Sequence, residues 1–455
     1  MKAAVALLTM TAGLMPFEAA AQTAADTALA LTLDEAVRRG LDTSHRLAEA
    51  IARSDATSAV VGQRRAAGLP QVQGQGGYMR TNHVEPFGVL MPNNQLRVIY
   101  PDIPDNLRTR LDLQWPIYTG GRVDALERAA RIEADASVDE IATTRADLTL
   151  EITRAFWALV TAREALRVVE AAVLRIDAHL LDARNQLDAG LIPPSDVFSV
   201  EAQQSRQRML VIQARMTRDI AEAELARLVG APGGTRVEPL AALDGAAGAQ
   251  TEAGDALQPV PGPESVDALV AAARQRRPER AALARRVDAI RERERAAAAG
   301  TKPTIAVGGG FDYARPNPRI FPRQEAWKTS WDASVNVGWP IFDGGRARSE
   351  IAEAAASGRA ARARLADFDA SIGVEVRQRL SELLSSRAAI DAANDAVRSA
   401  TEARRVVGER FTAGVATSTD VLDAQVALLQ AELDRTQAVA SARLADARLA
   451  RALGQ

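Results

Sequence analysis

Histidines and cysteines are the residues that most often bind metals or act in catalysis, and here they are few and scattered. The three histidines, His45, His83 and His179, lie in different predicted elements, so a histidine metal site or a catalytic triad has no support. We interpret each of them as a surface histidine. The chain has no cysteine, which excludes disulfides, thiolate metal ligands, a cysteine nucleophile and a lipid on an N-terminal cysteine. The sequence therefore indicates neither an enzyme nor a cofactor or metal.

Glycine-rich stretches are the other feature that could bind a ligand, in this case phosphate. Residues 230–234 follow a predicted helix and lack the Lys-Ser/Thr of a phosphate-binding loop, so we interpret them as a helix terminator. Gly120-Gly121 and Gly344-Gly345 each lie shortly after a Trp-Pro pair, which favours a strand-to-helix corner over an anion site. With 56 basic and 58 acidic residues, the chain has no excess of positive charge with which to bind nucleic acid.

The elements that would position any functional residue occur twice along the chain. Residues 115–122 (WPIYTGGR) reappear 224 positions later as residues 339–346 (WPIFDGGR). The same shift relates Ala189-Gly190 to Ala413-Gly414. Before these corners the shift is 233, so the first copy has nine more residues between its strands. We predict a signal peptide at residues 1–21, a first repeat at 22–230, a linker at 231–264 and a second repeat at 265–455.

The N-terminus has the features of an exported protein. Lys2 precedes an apolar stretch at residues 3–17, and Ala19-Ala20-Ala21 precedes the predicted cleavage site. The apolar stretch is shorter than the roughly 20 residues that cross a bilayer as a helix, and no later segment supplies such a run. A membrane-embedded part of the mature chain would have to belong to a closed β-barrel.

Each repeat is predicted to contain a helical segment, two strands and a long helical hairpin. In the strands, polar residues such as Gln73 and Asp112 alternate with apolar residues such as Val72 and Leu111, which predicts one polar and one apolar face. Residues 122–190 and 346–414 contain no proline. Apolar residues recur every seven positions from Ile152 to Leu187, which is typical of a coiled-coil helix. Shorter helices at 196–229 and 420–453 are predicted to complete the hairpins.

Four strands per chain are too few to close a membrane barrel, because the smallest such barrels use about eight. Several copies would therefore share one barrel, with the polar face lining water. Aromatic residues concentrate in or beside the strands, as they do at membrane interfaces. We predict this interfacial position, in preference to a soluble β core, for Tyr78, Trp115, Tyr313, Trp327, Trp331 and Trp339.

These features resemble the TolC-like outer-membrane efflux protein (outer membrane factor) family of Gram-negative bacteria. The similarity covers nearly the whole mature chain and includes residues 65–72 before the first strand, the two WPI corners, Arg277-Pro278-Glu279, and residues 411–425. It implies an α+β membrane protein of the bacterial outer membrane. Three chains, with four strands each, would form a twelve-stranded β-barrel that continues as a long coiled-coil α-helical barrel into the periplasm. The absent cysteine departs from the lipid-anchored branch, so the barrel alone would anchor the protein.

The resemblance also implies a function and partners. Such a homotrimer is a passive exit duct of a tripartite efflux or type I secretion system. Its periplasmic tip stays closed until a periplasmic adaptor (membrane fusion) protein and an inner-membrane pump or ABC exporter engage. The adaptor-docking tips would be the two hairpin turns, Ala189, Gly190 and Leu191 and Ala413, Gly414 and Val415.

Aspartates near these turns would then form the channel constriction, namely Asp420, Asp423 and Asp196. Asp420 and Asp423 are three residues apart and so share one helical face. Asp420, like its counterpart Asp196 in the first repeat, could instead stabilise a helix N-terminus, whereas Ser199 replaces Asp423 there. The alternative function is a periplasmic coiled-coil scaffold without a channel, which would use the helices but not the strands with a polar face.

Overall fold

The computed structural model describes residues 28–241 and 266–455, which form two long helical hairpins attached to one four-stranded sheet. The first half contains β1 (Leu29–Leu31), α1 (Leu33–Thr43), α2 (His45–Ala66), β2 (Gln71–Arg80), β3 (Phe87–Leu90), β4 (Leu96–Tyr100), β5 (Asp105–Tyr118), α3 (Arg122–Asp188), α4 (Pro194–Leu228) and β6 (Val237–Pro239). The second half contains α5 (Val266–Arg276), α6 (Pro278–Ala298), β7 (Thr304–Arg315), β8 (Lys328–Gly338), α7 (Arg346–Thr412) and α8 (Ser418–Ala452). A pair of helices, two long strands and a hairpin thus occur in the same order in both halves.

The four long strands form one antiparallel sheet in the order β2-β5-β7-β8. The register places Gln73 opposite Asp112, Asp112 opposite Gly310, and Gly310 opposite Asp332. Because side chains alternate between the two faces of a strand, the polar positions of all four strands lie on one face, here called the polar face. The opposite, apolar face carries the aligned row Gly74, Leu111, Phe311 and Trp331. The alternation in the sequence predicted these faces correctly.

Glycines at the strand-to-helix corners connect the sheet to the two long helices. Gly121 and Gly345 precede α3 and α7 with φ of 87° and 90°, a left-handed conformation that favours glycine. The predicted strand-to-helix corners are therefore confirmed. α3 and α7 contain 67 residues each, and a helix of that size is about 100 Å long. No helix among the described residues combines the length and apolar composition needed to cross a membrane.

The predicted heptad positions form the core of the hairpins. Ile152 and Leu159 of α3, together with Phe156, are fully buried against α1, α4, β1 and β6. Val376 and Leu383 of α7 are buried in a second cluster with α5 and α8. Each such side chain stabilises the fold by roughly 1.5–3 kcal/mol.

Two short pairings of strands were not predicted. The loop between β2 and β5 contains the hairpin β3–β4, and the predicted irregular linker contains β6, which pairs in parallel with β1. The linker prediction is thus wrong at this point, because the backbone groups of β1 and β6 satisfy each other's hydrogen bonds. The signal peptide and residues 242–264 of the linker lie outside the described residues.

Gly40 and Gly62 are helical glycines in contrasting surroundings. A Cβ on Gly40 would clash with Ile152 Cδ1 and lie 3.0 Å from the Leu228 carbonyl oxygen, whereas one on Gly62 would meet nothing within 4 Å. We expect Gly40→Ala to lower the free energy of unfolding by about 1–3 kcal/mol through overpacking. Gly62→Ala should raise it by up to about 1 kcal/mol through helix propensity. Thermal denaturation of the purified variants measures both changes. Melting temperatures that shift in the same direction in the two variants would contradict this packing.

Candidate functional site

The two hairpin turns share one backbone arrangement. Gly190 and Gly414 have φ of 72° and 76°. The N–H of the following residue donates to the carbonyl five residues earlier, at 2.8 Å in the first hairpin and 2.9 Å in the second, which closes a Schellman cap. Ala189 and Ala413 are the C-cap residues of α3 and α7. The glycines therefore have a structural reason to be present, whatever else the turns do.

The side chains that follow these glycines point away from the protein. Leu191 is 73% exposed and Val415 is 62% exposed. The two hairpin tips thus present an apolar side chain at equivalent places.

Asp420 and Asp423 lie in the first turns of α8 but have different surroundings. The Asp420 carboxylate accepts hydrogen bonds from the Thr417 N–H and hydroxyl, both at 2.8 Å, and its own N–H donates to Thr417 Oγ1 at 3.2 Å. This reciprocal capping box lowers the pKa of Asp420 below its usual value. Asp423 is exposed on the same helix. Asp196, at the equivalent place in α4, accepts only a long bond from Ser195 Oγ at 3.3 Å.

His179 is buried, which corrects our interpretation of it as a surface residue. The residue is 5% exposed, and its Nε2 lies 3.0 Å from Ser418 Oγ. Its ring meets the Phe411 ring edge-on, with 5.0 Å between the centroids. Phe411 belongs to α7 and Ser418 begins α8, so the histidine of the first hairpin packs against the tip of the second. Its position three residues after the buried Ile176 is the sequence signal that could have shown this.

The other two histidines are at the surface, as predicted. His83 Nδ1 lies 2.7 Å from Asp102 Oδ2 in an exposed pair, and His45 is exposed at the start of α2. Within the described parts of the chain, no three histidine, aspartate or glutamate side chains are grouped so as to hold a metal ion.

Arginine and aspartate side chains form a network on the polar face that sequence reasoning missed. Arg108 Nε and Arg110 Nη1 lie 2.6 and 2.5 Å from the two carboxylate oxygens of Asp312, which is 0% exposed. Arg110 also lies 2.6 Å from Asp112 and 3.2 Å from Asp332. The residues are neighbours because the register places Arg110 opposite Asp312. The period-2 spacing of Arg108, Arg110 and Asp112 was the available signal.

The aromatic residues named from the sequence are all partly or fully exposed, and most lie on the apolar face. Tyr313 stacks on Trp327 with 4.7 Å between ring centroids at the loop end of the sheet, where the Tyr78 hydroxyl donates to Asp105 at 2.8 Å. Trp115 and Trp339 lie at the helix end, where Trp339 Nε1 donates to the Thr301 carbonyl at 3.2 Å. Trp331 lies between these two levels, opposite Phe311.

The His179 contact should depend on pH. Burial lowers the pKa of the imidazole below its usual value, and the Asp182 carboxylate opposes this shift only in part. The packed state therefore favours the neutral imidazole. The neutral ring stabilises this state fully above the ordinary histidine pKa of about 6.5, and the stabilisation decreases as the pH falls below that value. We expect acidification to loosen the contact between the two hairpin tips. Spin labels at Asn185 and Thr412 would show this as a longer and broader distance distribution.

His179→Gln is the matched control, because glutamine can keep the hydrogen bond to Ser418 but does not titrate. Its distance distribution should stay constant over the same pH range. An equal response of both proteins to acid would show that His179 is not the titrating group.

Comparison with known proteins agrees with this architecture. The chain matches the outer membrane efflux protein family over residues 36–231 and 269–455. It is 28% identical to Protein CyaE of Bordetella pertussis over 407 residues, which cover 87% of this chain and 78% of that protein. It is 24% identical to Outer membrane protein TolC of Vibrio cholerae over 415 residues, covering 89% and 86% of the two chains.

Among solved structures, the outer membrane protein VceC from Vibrio cholerae has the same fold, with a TM-score of 0.73 at 20% identity and coverage of 93% of this chain and 96% of that one. The family match spans most of both halves of the chain. The chain therefore belongs to the outer membrane efflux protein family, as the resemblance in its sequence indicated, and is an outer-membrane exit duct for efflux or secretion rather than an enzyme.

Proposed function

We propose that three copies of this exit duct close one barrel of twelve strands, with the polar face lining the lumen and the hairpins forming a tunnel through the periplasm. The observation that carries the proposal is the open sheet. β2 and β8 each pair with a strand on one side only, and backbone groups left unpaired within a bilayer cost several kcal/mol each. A second copy satisfies them if its β2 pairs with β8.

The two halves of the chain predict the register of that pairing. β5 and β7 already form the equivalent junction within one chain, in which Leu111 lies opposite Phe311. The sequence shifts of 224 and 233 convert this pair into Val335 of one copy opposite Tyr78 of the next. Both side chains lie on the apolar face of their strands, so the deduced register keeps polar residues in the lumen and apolar residues toward lipid.

Exposed apolar positions on the helices also favour a neighbouring copy. α4 carries Phe198, Met209, Ile212, Met216 and Ile220, all exposed in the single chain. Most are separated by three or four residues, the spacing of one helical face. An α4 face of this kind requires a neighbour, and α7 of the next copy, with exposed Val374 and Leu384, supplies apolar side chains of its own.

Engineered cysteines test this assembly, since the chain has no native cysteine. We expect Val335→Cys with Tyr78→Cys to form disulfides between copies, giving covalent dimers and trimers on non-reducing gels of outer-membrane fractions. Directly opposite Cβ atoms in a sheet lie about 4.5–5.5 Å apart, within disulfide range. Asn336→Cys with Gly77→Cys tests the adjacent pair on the polar face.

Val335→Cys with Gly74→Cys is the control, because four residues displace the partner by about 13 Å along the strand. Crosslinking of the control but not of the predicted pairs would disprove the register. Monomers alone, in a soluble periplasmic fraction, would disprove the trimeric barrel and favour the scaffold alternative.

We propose the hairpin tips as the place where a periplasmic adaptor docks, bringing the duct to an inner-membrane pump or ABC exporter. The support is the pair of exposed apolar side chains, Leu191 and Val415, on equivalent caps. Six such side chains in a trimer would offer an adaptor a repeating apolar surface. The aromatic residues at the two ends of the sheet are proposed to lie at the two interfaces of the outer membrane.

Asp420 and Asp423, with Asp196, are proposed to surround the closed opening at these tips. Of the three, Asp423 is the best supported as a constriction residue, because it is exposed and, unlike Asp420, is not part of the capping box of α8. Three copies would place several carboxylates around one narrow opening, which favours cations and binds multivalent ones.

We expect Asp423→Asn to lower the cation selectivity of the channel in planar bilayers severalfold and to weaken block by a trivalent cation. The double variant with Asp420→Asn should lose more of both properties. Asp434→Asn, an exposed carboxylate on α8 eleven residues from Asp423, is the control and should change neither. Unaltered selectivity and block in the double variant would remove both residues from the constriction.

A further inference from the structure

The loop between β7 and β8, residues 316–327 and here called the rim loop, turns back over the polar face of the sheet. Asn317 is 2% exposed. Its side-chain amide donates to the Lys328 carbonyl at 2.9 Å and to Ser330 Oγ at 3.0 Å. Ser330 lies opposite Asp312 in the register and therefore belongs to the polar face. The first part of the loop is thus attached to this face instead of extending beyond the strands.

Arg319 makes the second attachment. Its Nη2 lies 2.7 Å from Asp332 Oδ1, its Nε lies 4.0 Å from Asp312 Oδ2, and its Nη1 donates to the Trp331 carbonyl at 3.1 Å. Both aspartates also pair with Arg110 of β5. Release of Arg319 therefore leaves neither carboxylate without a partner, so the loop can detach without the large cost of an unpaired buried charge.

The second part of the rim loop is attached to the other side of the sheet. Arg315 and Glu325 form an ion pair at 2.5 Å, and Trp327 stacks on Tyr313. Arg315 and Tyr313 share the apolar face with Phe311, since their positions alternate with Asp312. The loop therefore crosses the rim of the sheet, with residues 317–319 on the polar side and residues 325–327 on the apolar side.

A contact at the rim fixes the middle of the loop. Arg323 Nη1 donates to the Tyr100 hydroxyl at 3.0 Å, and its guanidinium lies 4.9 Å from the centre of that ring. Tyr100 ends β4 of the β3–β4 hairpin. Residues 323–327 thus form an anchored end of the loop, and the polar contacts of Asn317 and Arg319 hold residues 317–319 at the other end.

Burial shows that the attached end covers the sheet. On β7, the polar-face residues Asp312 and Ala314 are 0% and 1% exposed, whereas Phe311 and Tyr313 on the apolar face are 46% and 44% exposed. A sheet of one layer would leave both faces open. The arginines of the network and the start of the rim loop account for the difference.

We propose that residues 316–322 form an outer gate that limits the size of solutes passing the outer end of the duct. This rests on the trimer proposed above, in which the polar face lines the lumen and three rim loops surround one opening. The strands join the helices at the opposite end of the sheet, so this gate is separated from the hairpin tips by helices of about 100 Å. Detachment of Asn317 and Arg319 would widen it, while Arg323 and Trp327 keep the loop at the rim.

A single cysteine below the gate tests the proposal in intact cells. Ser334 is exposed on the polar face, opposite Gly308 and farther from the loop than Asp332. We expect Ser334→Cys to react with a small maleimide but only slowly with a large PEG-maleimide added outside. Arg319→Gln should raise the PEG-maleimide rate about tenfold, as expected when one charge-assisted contact is removed from a two-state equilibrium. Asn317→Ala should act in the same direction.

Arg108→Gln is the matched control, because Arg108 pairs with Asp312 from within the sheet and its loss leaves Asn317 and Arg319 in place. Its PEG-maleimide rate should stay near that of the parent, as should that of Arg319→Lys.

The gate is disproved if Arg319→Gln and Asn317→Ala, present at normal levels in the outer membrane, leave the rate unchanged. It is also disproved if PEG-maleimide labels Ser334→Cys in the parent as fast as it labels an exposed rim cysteine at Gln324→Cys. Absence of the Val335–Tyr78 crosslink would separately identify failure of the trimer.

Discussion

The unpaired edges of the four-stranded sheet are the constraint on which the rest of the structure depends. β2 and β8 each present a row of backbone donors and acceptors on one side, and a bilayer offers no water to satisfy them. In the proposed trimer, closing these edges sets the register between the copies and the side that faces the lumen. The long helices leave the sheet through glycine corners, so the same closure also sets where the hairpins stand around the axis.

The two halves of the chain share a backbone plan but differ in the side chains at the hairpin tips. The caps at Gly190 and Gly414 are alike, because a tight helix end requires a left-handed residue whatever surrounds it. His179 has Ala403 as its sequence counterpart, and Asp423 has Ser199. The second hairpin is therefore attached to the first by a buried imidazole and carries a carboxylate that the first hairpin lacks.

Charge on the polar face has a structural role in addition to its proposed one of lining the lumen. Asp312 is buried and paired with Arg108 and Arg110, so a carboxylate on a single-layer sheet holds neighbouring strands together through charge-assisted bonds. Arg319 adds a contact from outside the strands to the same network. The network thus supports both the rigid wall of the sheet and the loop that rests on it.

The sequence by itself determined the strands, their two faces, the long helices and the corners between them, because each depends on residues only a few positions apart. Alternation sets the side-chain direction in a strand, and the heptad spacing sets the buried stripe of a helix. Only the tertiary structure decided that His179 packs against Ser418, that β1 pairs with β6 and that the rim loop lies on the polar face. His179 meets Ser418 across 239 residues of sequence, and Leu29 meets Val237 in a similar way. Such pairs leave no periodic pattern in the sequence. Their interactions stabilise the protein only after the hairpins and the sheet have brought distant residues into contact.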